Sequence, residues 1–172
     1  MAAAEQMDQA VRAVADREGK YLTFELANEE YGIGILKVKE IIGMMPVTSV
    51  PQTPEFLKGV INLRGKVIPV VDLRTKFGMP FREDTDKTCI IVVQIERNGQ
   101  LATMGIIVDE VSEVLDINAD QIDPPPEFGM NIRTDFILGI GKLEQKVVIL
   151  LDVDKVLSEG EIHMVEEVVQ ST

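Results

Sequence analysis

Phe56-Leu57-Lys58-Gly59-Val60-Ile61-Asn62-Leu63-Arg64-Gly65-Lys66-Val67-Ile68-Pro69-Val70-Val71-Asp72-Leu73 decides the fold, because the chain writes it twice. Moved by 80 positions it falls on Phe136 to Val153, where Phe56, Gly59, Leu63, Lys66, Val67 and Asp72 return as Phe136, Gly139, Leu143, Lys146, Val147 and Asp152. Another six of the 18 positions exchange one aliphatic residue for another, as Val70 does with Leu150. In the first copy two apolar runs flank Arg64-Gly65-Lys66, which predicts a tight β-hairpin.

Outward from the hairpin the duplication continues more faintly. Val38-Lys39-Glu40-Ile41-Ile42 matches Val111-Ser112-Glu113-Val114-Leu115 at a shift of 73, and Phe24-Glu25-Leu26 resembles Val93-Gln94-Ile95 at a shift of 69. The shift grows only through Asn98-Gly99-Gln100 and through the segment from Asp116 to Asp135, which holds Pro124-Pro125-Pro126. A duplicated fold changes length in its turns and loops. The spacing of Val38, Ile41 and Ile42 suggests a helical turn, with a strand as the alternative. Val47 to Pro54 is Pro-punctuated and reads as edge strand or loop. Short strands separated by Gly and Pro predict a mainly all-β protein of two small barrels or sandwiches. Lobes of about 65 residues are marginal alone, so the two copies are expected to bury a shared seam.

The flanks differ in character. Residues 1–19 are Ala-rich and charged, with Met7, Val11 and Val14 at helical spacing, and read as a mobile or helical arm. Residues 158–172 form an acidic tail that can finish as a helix. The start lacks a basic front and an unbroken apolar run, so no secretory signal is expected. No stretch approaches the roughly 20 apolar residues of a membrane span. Cys89 is the only cysteine, which fits a reducing compartment. Together these features predict a cytoplasmic protein. The net charge of −12 repels phosphate backbones and anionic membrane surfaces, leaving protein partners or small ligands.

Constellations for chemistry are missing. His163, the only histidine, lies in the acidic segment beside Glu161, Glu166 and Glu167, away from any nucleophile pattern. One His and one Cys cannot make the usual transition-metal shell, and no loop has EF-hand spacing. Gly32-Ile33-Gly34 lacks the third glycine and βαβ context of a dinucleotide loop, and reads as packing relief within a strand. No catalytic residue, metal or cofactor is expected. The duplication itself marks one position, since Asn62-Leu63-Arg64-Gly65 aligns with Lys142-Leu143-Glu144-Gln145. Arg64 is either a solvated hairpin-tip cation or a fixed contact for a carboxylate or a partner's backbone.

Phe56 to Gly65, followed by Pro69-Val70-Val71-Asp72-Leu73-Arg74, resembles the signature of the CheW chemotaxis coupling proteins. Tyr31-Gly32-Ile33 running into Ile35-Leu36-Lys37-Val38 and Glu40-Ile41, then Gly105-Ile106-Ile107-Val108-Asp109 and Pro125-Pro126-Glu127-Phe128, are similar to other segments of that family. The resemblance covers 20–157. It implies two five-stranded SH3-like barrels on a common core, with lobe 1 at about 33–85, lobe 2 at about 105–150 and segments exchanged between them. It also implies a non-catalytic scaffold joining the cytoplasmic tip of chemoreceptors to the regulatory domain of the CheA histidine kinase, recruited to membrane receptor arrays. Partner contact is implied at Val38, Glu40, Gly59, Asn62, Leu63, Arg64 and Gly65, with Arg64 paired to Glu40. Three other readings stand beside it: a free-standing kinase regulatory domain, the adaptor part of a CheV protein, and a small-ligand binder using the seam. The kinase and CheV readings require further domains, and within these 172 residues neither the kinase's other domains nor a receiver domain is expected. No convergent polar set marks the seam as a ligand site.

Overall fold

The structure is a computed structural model that describes residues 18–125 and 135–171. The helical spacing of Met7, Val11 and Val14 and the Pro126-Glu127-Phe128 part of the family resemblance lie outside the described residues.

Among the described residues eleven strands run β1 (Gly19–Leu26), β2 (Glu29–Gly34), β3 (Val38–Gly43), β4 (Leu57–Leu63), β5 (Lys66–Asp72), β6 (Cys89–Arg97), β7 (Gln100–Val108), β8 (Glu110–Ile117), β9 (Ile122–Asp123), β10 (Ile137–Leu143) and β11 (Lys146–Leu151). Two helices follow the hairpins, α1 (Leu73–Lys76) and α2 (Glu159–Ser171). One sheet has the order β3-β6-β7-β5-β4 and the other β8-β1-β2-β11-β10-β9. Under the sequence repeat these are the same sheet built twice. Even the two-residue β9, which pairs Asp123 with Ile140, has a counterpart in the isolated bridge of Thr48 to Val60.

Each sheet takes strands from both copies. The β6–β7 hairpin, which belongs to the second copy, pairs with β3 and runs parallel to β5 of the first. The β1–β2 hairpin of the first copy pairs with β8 and runs parallel to β11 of the second. Each sheet then encloses its own small core, Ile61, Ile68, Val70, Ile90, Val92 and Ile107 in one and Tyr21, Ile117, Ile122, Val148 and Leu150 in the other. A larger core lies between them and draws on both, including Leu22, Phe24 and Ile33 from one sheet and Val71, Ile91 and Ile106 from the other.

The extra residues of the second copy have a simple location. At the turn, β6 runs two residues past Ile95, the equivalent of the last residue of β1, and β7 begins two residues before Ala102, the equivalent of the first residue of β2. That accounts for the growth of the shift from 69 to 73. Val38, Ile41 and Ile42 lie on β3 and not on a helix, which corrects the helical reading. Glu40 and Ile42 are half-buried while Lys39, Ile41 and Gly43 are exposed, a period of two. Of the two glycines flanking Ile33, Gly32 relieves packing, since a Cβ there would meet Leu150 and Val148 at 3.2 and 3.3 Å, whereas Gly34 has open space around it.

Two polar latches close the seam. Arg74 Nε donates to Asp109 Oδ1 at 2.7 Å and Nη2 to Oδ2 at 2.5 Å, and the Ala27 N–H donates to the same carboxylate at 2.9 Å. In the second latch Lys37 donates to Asp154 at 2.7 Å, and the Glu96 N–H donates to it at 2.9 Å. Ala27 and Glu96 are equivalent at the shift of 69, so each carboxylate binds the matching amide of the opposing hairpin. The polarity is reversed: the carboxylate precedes β8 in one latch and follows β11 in the other.

Both members of the first latch are 12% exposed. Burial alone would raise the Asp109 pKa; hydrogen bonds from Arg74 and Ala27 and the charges of Arg74 and Arg82 outweigh it, and the carboxyl titrates below its ordinary value. Its stabilising contribution is therefore complete above the unfolded value of about pH 4 and is lost as pH falls through the depressed one. Asp109→Asn should melt lower at pH 7 and lose less stability than the parent on acidification, read by thermal melts across pH. Arg74→Ala leaves the buried carboxylate with only the Ala27 N–H and the more distant Arg82, at 3.5 Å, and should cost about 3 kcal/mol. Cutting after Asp84 removes β6 and β7 from the middle of one sheet, so the fragment 1–84 should aggregate; a soluble fragment that unfolds cooperatively contradicts the exchanged architecture.

Candidate functional site

The β4–β5 turn is made by Arg64 at φ +52° and Gly65 at φ +87°, the left-handed pair of a two-residue hairpin turn. Asn62 Oδ1 accepts the Gly65 N–H at 2.9 Å, bracing the turn from inside. Gly65 adopts its conformation without a Cβ penalty, but Arg64 does not. The equivalent turn, Glu144-Gln145, connects its strands without a left-handed residue. A hairpin at this position therefore does not demand the conformation that Arg64 holds.

That conformation sets the guanidinium against Glu40. Arg64 Nη2 donates to Glu40 Oε1, with the Arg64 side chain 71% exposed and Glu40 30% exposed. Glu40 reaches this place through a bulge, because β3 pairs Val38 with Val93 and Glu40 with Val92, leaving Lys39 as the extra residue. The second sheet solves the same electrostatic problem differently. Glu113, equivalent to Glu40, lies 3.3 Å from Lys146, which also sits 3.1 Å from Glu30. The Glu30 hydrogen bond is the main cause of a raised Lys146 pKa. Lys66, equivalent to Lys146, has no such partner among the described residues. Each sheet thus neutralises its bulge glutamate, but only in the first does the cation come from the hairpin tip.

Of the residues expected to contact partners, Glu40, Asn62, Leu63, Arg64 and Gly65 are brought together at this end of the first sheet. Val38, at the start of β3, is half-buried against the shared core. Gly59 is elsewhere: it is buried in β4 at a bulge opposite Val70, and a Cβ would lie 2.1 Å from the Thr48 carbonyl oxygen. Gly139 repeats this arrangement, with a Cβ 2.7 Å from Ile122 and 2.8 Å from the Asp123 carbonyl. The other repeated residues also have packing or turn roles. Asp72 and Asp152 each donate a backbone N–H to the preceding Phe carbonyl, Phe56 or Phe136. Their side chains accept the N–H two residues on, at Arg74 and Asp154, both at 3.0 Å.

The acidic C-terminal segment is more than a tail. Ser158 and Glu161 form a reciprocal capping box, 2.7 and 3.2 Å, that starts α2. Ile162 and Val165 enter the shared core, and Glu161 pairs with Lys76 at 2.7 Å. The Glu161 pKa falls because Lys76 and the Ser158 contacts overcome its burial. The Ser158-x-x-Glu161 pattern and the spacing of Ile162 and Val165 were the available sequence signals. His163 faces solvent from this helix, 3.2 Å from Glu167. Between α2 and strands β5 and β7 lies a cleft of about 510 Å³, with Glu40 and Arg64 on its rim.

The duplicated scaffold, two strand-exchanged sheets with a braced polar tip on the first, defines a two-lobe all-β protein. Residues 20–161 match the family model described as CheW-like domain. The chemotaxis protein CheW of Klebsiella aerogenes is 45% identical over 152 residues, 88% of this chain and 89% of that one. CheW of Bacillus subtilis is 36% identical over 141 residues, 81% of this chain and 87% of its own. The crystal structure of the scaffolding protein CheW from Thermoanaerobacter tengcongensis superimposes with a TM-score of 0.73 at 40% identity, covering 84% of this chain and 95% of that one. The chain belongs to the CheW family and has its two-lobe SH3-like fold. The family's role is that of a scaffold coupling chemoreceptors to the kinase CheA in chemotaxis.

Gly59→Ala and Gly139→Ala drive a methyl into backbone and should each cost at least about 2 kcal/mol. Gly65→Ala, with open space around it, should cost only about 1 kcal/mol through its left-handed φ. Denaturant titration of the three variants checks this order.

Proposed function

We propose that this chain bridges the cytoplasmic tip of a chemoreceptor to the regulatory domain of CheA through the end of the first lobe, without catalysis of its own. In this reading residues 20–157 are the coupling domain and array membership brings the protein to the membrane. No helix among the described residues is long and apolar enough to cross a membrane, so attachment falls to the partners.

The Arg64–Glu40 pair carries the reading. Exposed pairs contribute about 0–1 kcal/mol to stability, and the left-handed conformation at Arg64 opposes even that. A stability role explains neither the residue nor its geometry. An always-charged planar donor held on a rigid hairpin suits recognition of a partner's carboxylate or backbone.

Arg64→Ala should therefore leave the melting temperature within a few degrees of the parent while lowering receptor-dependent kinase activation in a reconstituted ternary complex. Arg64→Glu should be worse, because it faces Glu40 with a second carboxylate. Adding Glu40→Arg to it should recover part of the activation. Full coupling by Arg64→Glu refutes the role given to the pair, and coupling lost in step with stability makes Arg64 structural. Nucleotide turnover that stays with the isolated chain through purification contradicts the non-catalytic reading.

A further inference from the structure

We infer that Asp154, in the second copy of the repeat, is a positioning residue for the Arg64–Glu40 pair of the first and acts through Lys37. The inference rests on the scaffold reading above, in which that pair belongs to the coupling surface, and adds a residue from across the seam. Lys37 ends a single 3-10 turn, Ile35–Lys37, and the next residue, Val38, begins β3. Its ammonium donates to Asp154 Oδ2 at 2.7 Å, while Oδ1 of the same carboxylate accepts the Glu96 N–H at 2.9 Å. Asp154 is itself held, since its N–H donates to Asp152 Oδ1 at 3.0 Å in the turn that leaves β11. One carboxylate thus ties the entry of β3 to the β6–β7 hairpin and to the end of β11. The two side chains are 36% and 24% exposed, so the contact is screened less than an ion pair in open solvent.

The strand fixed in this way has little else to fix it. Among the described residues β3 is an edge strand paired with β6 alone, and its register shifts between the Val38–Val93 and Glu40–Val92 pairs. A bulge bends its strand and re-aims the side chain beside it. Glu40 is that side chain, three residues past Lys37, so its direction depends on where β3 enters the sheet. The Arg74–Asp109 latch is the counterpart on the other edge strand. Asp109 immediately precedes β8, which carries Glu113 and its partner Lys146. Breaking either latch loosens the seam, but only the Lys37–Asp154 latch adjoins the strand of Glu40. The two latches therefore separate a positioning role from a purely structural one.

The test uses the full chain at a temperature where every variant is folded, with Arg74→Ala as the matched control. Lys37→Met and Asp154→Ala should each lower receptor-dependent kinase activation about fivefold in the reconstituted ternary complex, whereas Arg74→Ala should leave it unchanged at a larger cost in melting temperature. Lys37→Arg, which keeps the charge, should retain activation. In an Arg64→Ala background Lys37→Met should have no further effect, because the pair it positions is already gone. A second readout needs neither receptor nor kinase: the NMR signal of the Arg64 Nε–H should move in Lys37→Met toward its position in Glu40→Gln, and stay in place in Arg74→Ala. An unmoved Arg64 signal overturns the inference. Activation that falls as far in Arg74→Ala as in Lys37→Met also overturns it, because both losses then follow stability. A moved signal with full activation upholds the positioning and refutes instead the coupling role given to the pair.

Discussion

The parallel pairing of β5 with β7, and of β2 with β11, is the joint on which the molecule depends. In each case a hairpin from one copy is the inner pair of strands in the other copy's sheet. Neither copy of the repeat can complete its sheet from its own residues, and neither sheet buries its outer apolar face without the other. The glycines follow from this joint. Gly105 and Gly32 are equivalent, and each lies on the hairpin strand that makes the parallel contact. A Cβ at Gly105 would come within 2.7 Å of Ile90, and one at Gly32 within 3.2 Å of Leu150. The small residue keeps the barrel interior open to the branched side chains that fill it.

The latches act on that joint. A large apolar seam is non-directional and tolerates sliding, whereas a carboxylate that accepts both a side-chain cation and a backbone amide fixes one register. Asp109 does this with Arg74 and Ala27, and Asp154 with Lys37 and Glu96. The two backbone donors are symmetric and the charges are not. Lys37 immediately precedes β3, so its latch fixes the strand that carries Glu40. The same contact that closes the seam therefore sets the position of the candidate site.

The duplication was legible because packing and turn positions tolerate few residue types. Gly59 and Gly139 meet a crossing backbone, and Asp72 and Asp152 cap the turn that leaves the hairpin. Such demands leave matching letters in both copies. The exchange of hairpins left no comparable signal, since a strand pairing with its own copy or with the other needs the same alternation. The latches were hidden for another reason: a salt bridge works with either polarity, so Arg74 aligns with Asp154 and the correspondence reads as a mismatch. At β3 the burial alternates, but a glutamate, Glu40, sits on the half-buried face and an isoleucine, Ile41, on the exposed one, so the apolar spacing imitates a helical turn. The partner-facing role assigned to Gly59 came from its place in a signature, whereas its buried position beside Thr48 accounts for it by packing.

Glu40 and Arg64 differ from every other repeated or paired position in what they offer folding. Glu113 shows that a glutamate at the bulge can be neutralised by a lysine already within the hairpin, through Lys146. The first lobe has that lysine at Lys66 and leaves it unpaired among the described residues. It pairs Glu40 instead with a tip arginine in a left-handed conformation, an arrangement that costs about 1–2 kcal/mol in backbone energy for an exposed pair that returns less. The consequence is geometric. Arg64 is oriented, Glu40 is occupied, and Lys39 and Lys66, along the same edge, have no ion-pair partner among the described residues. A surface that folding alone would neutralise is kept cationic and ordered on a molecule that is otherwise strongly acidic.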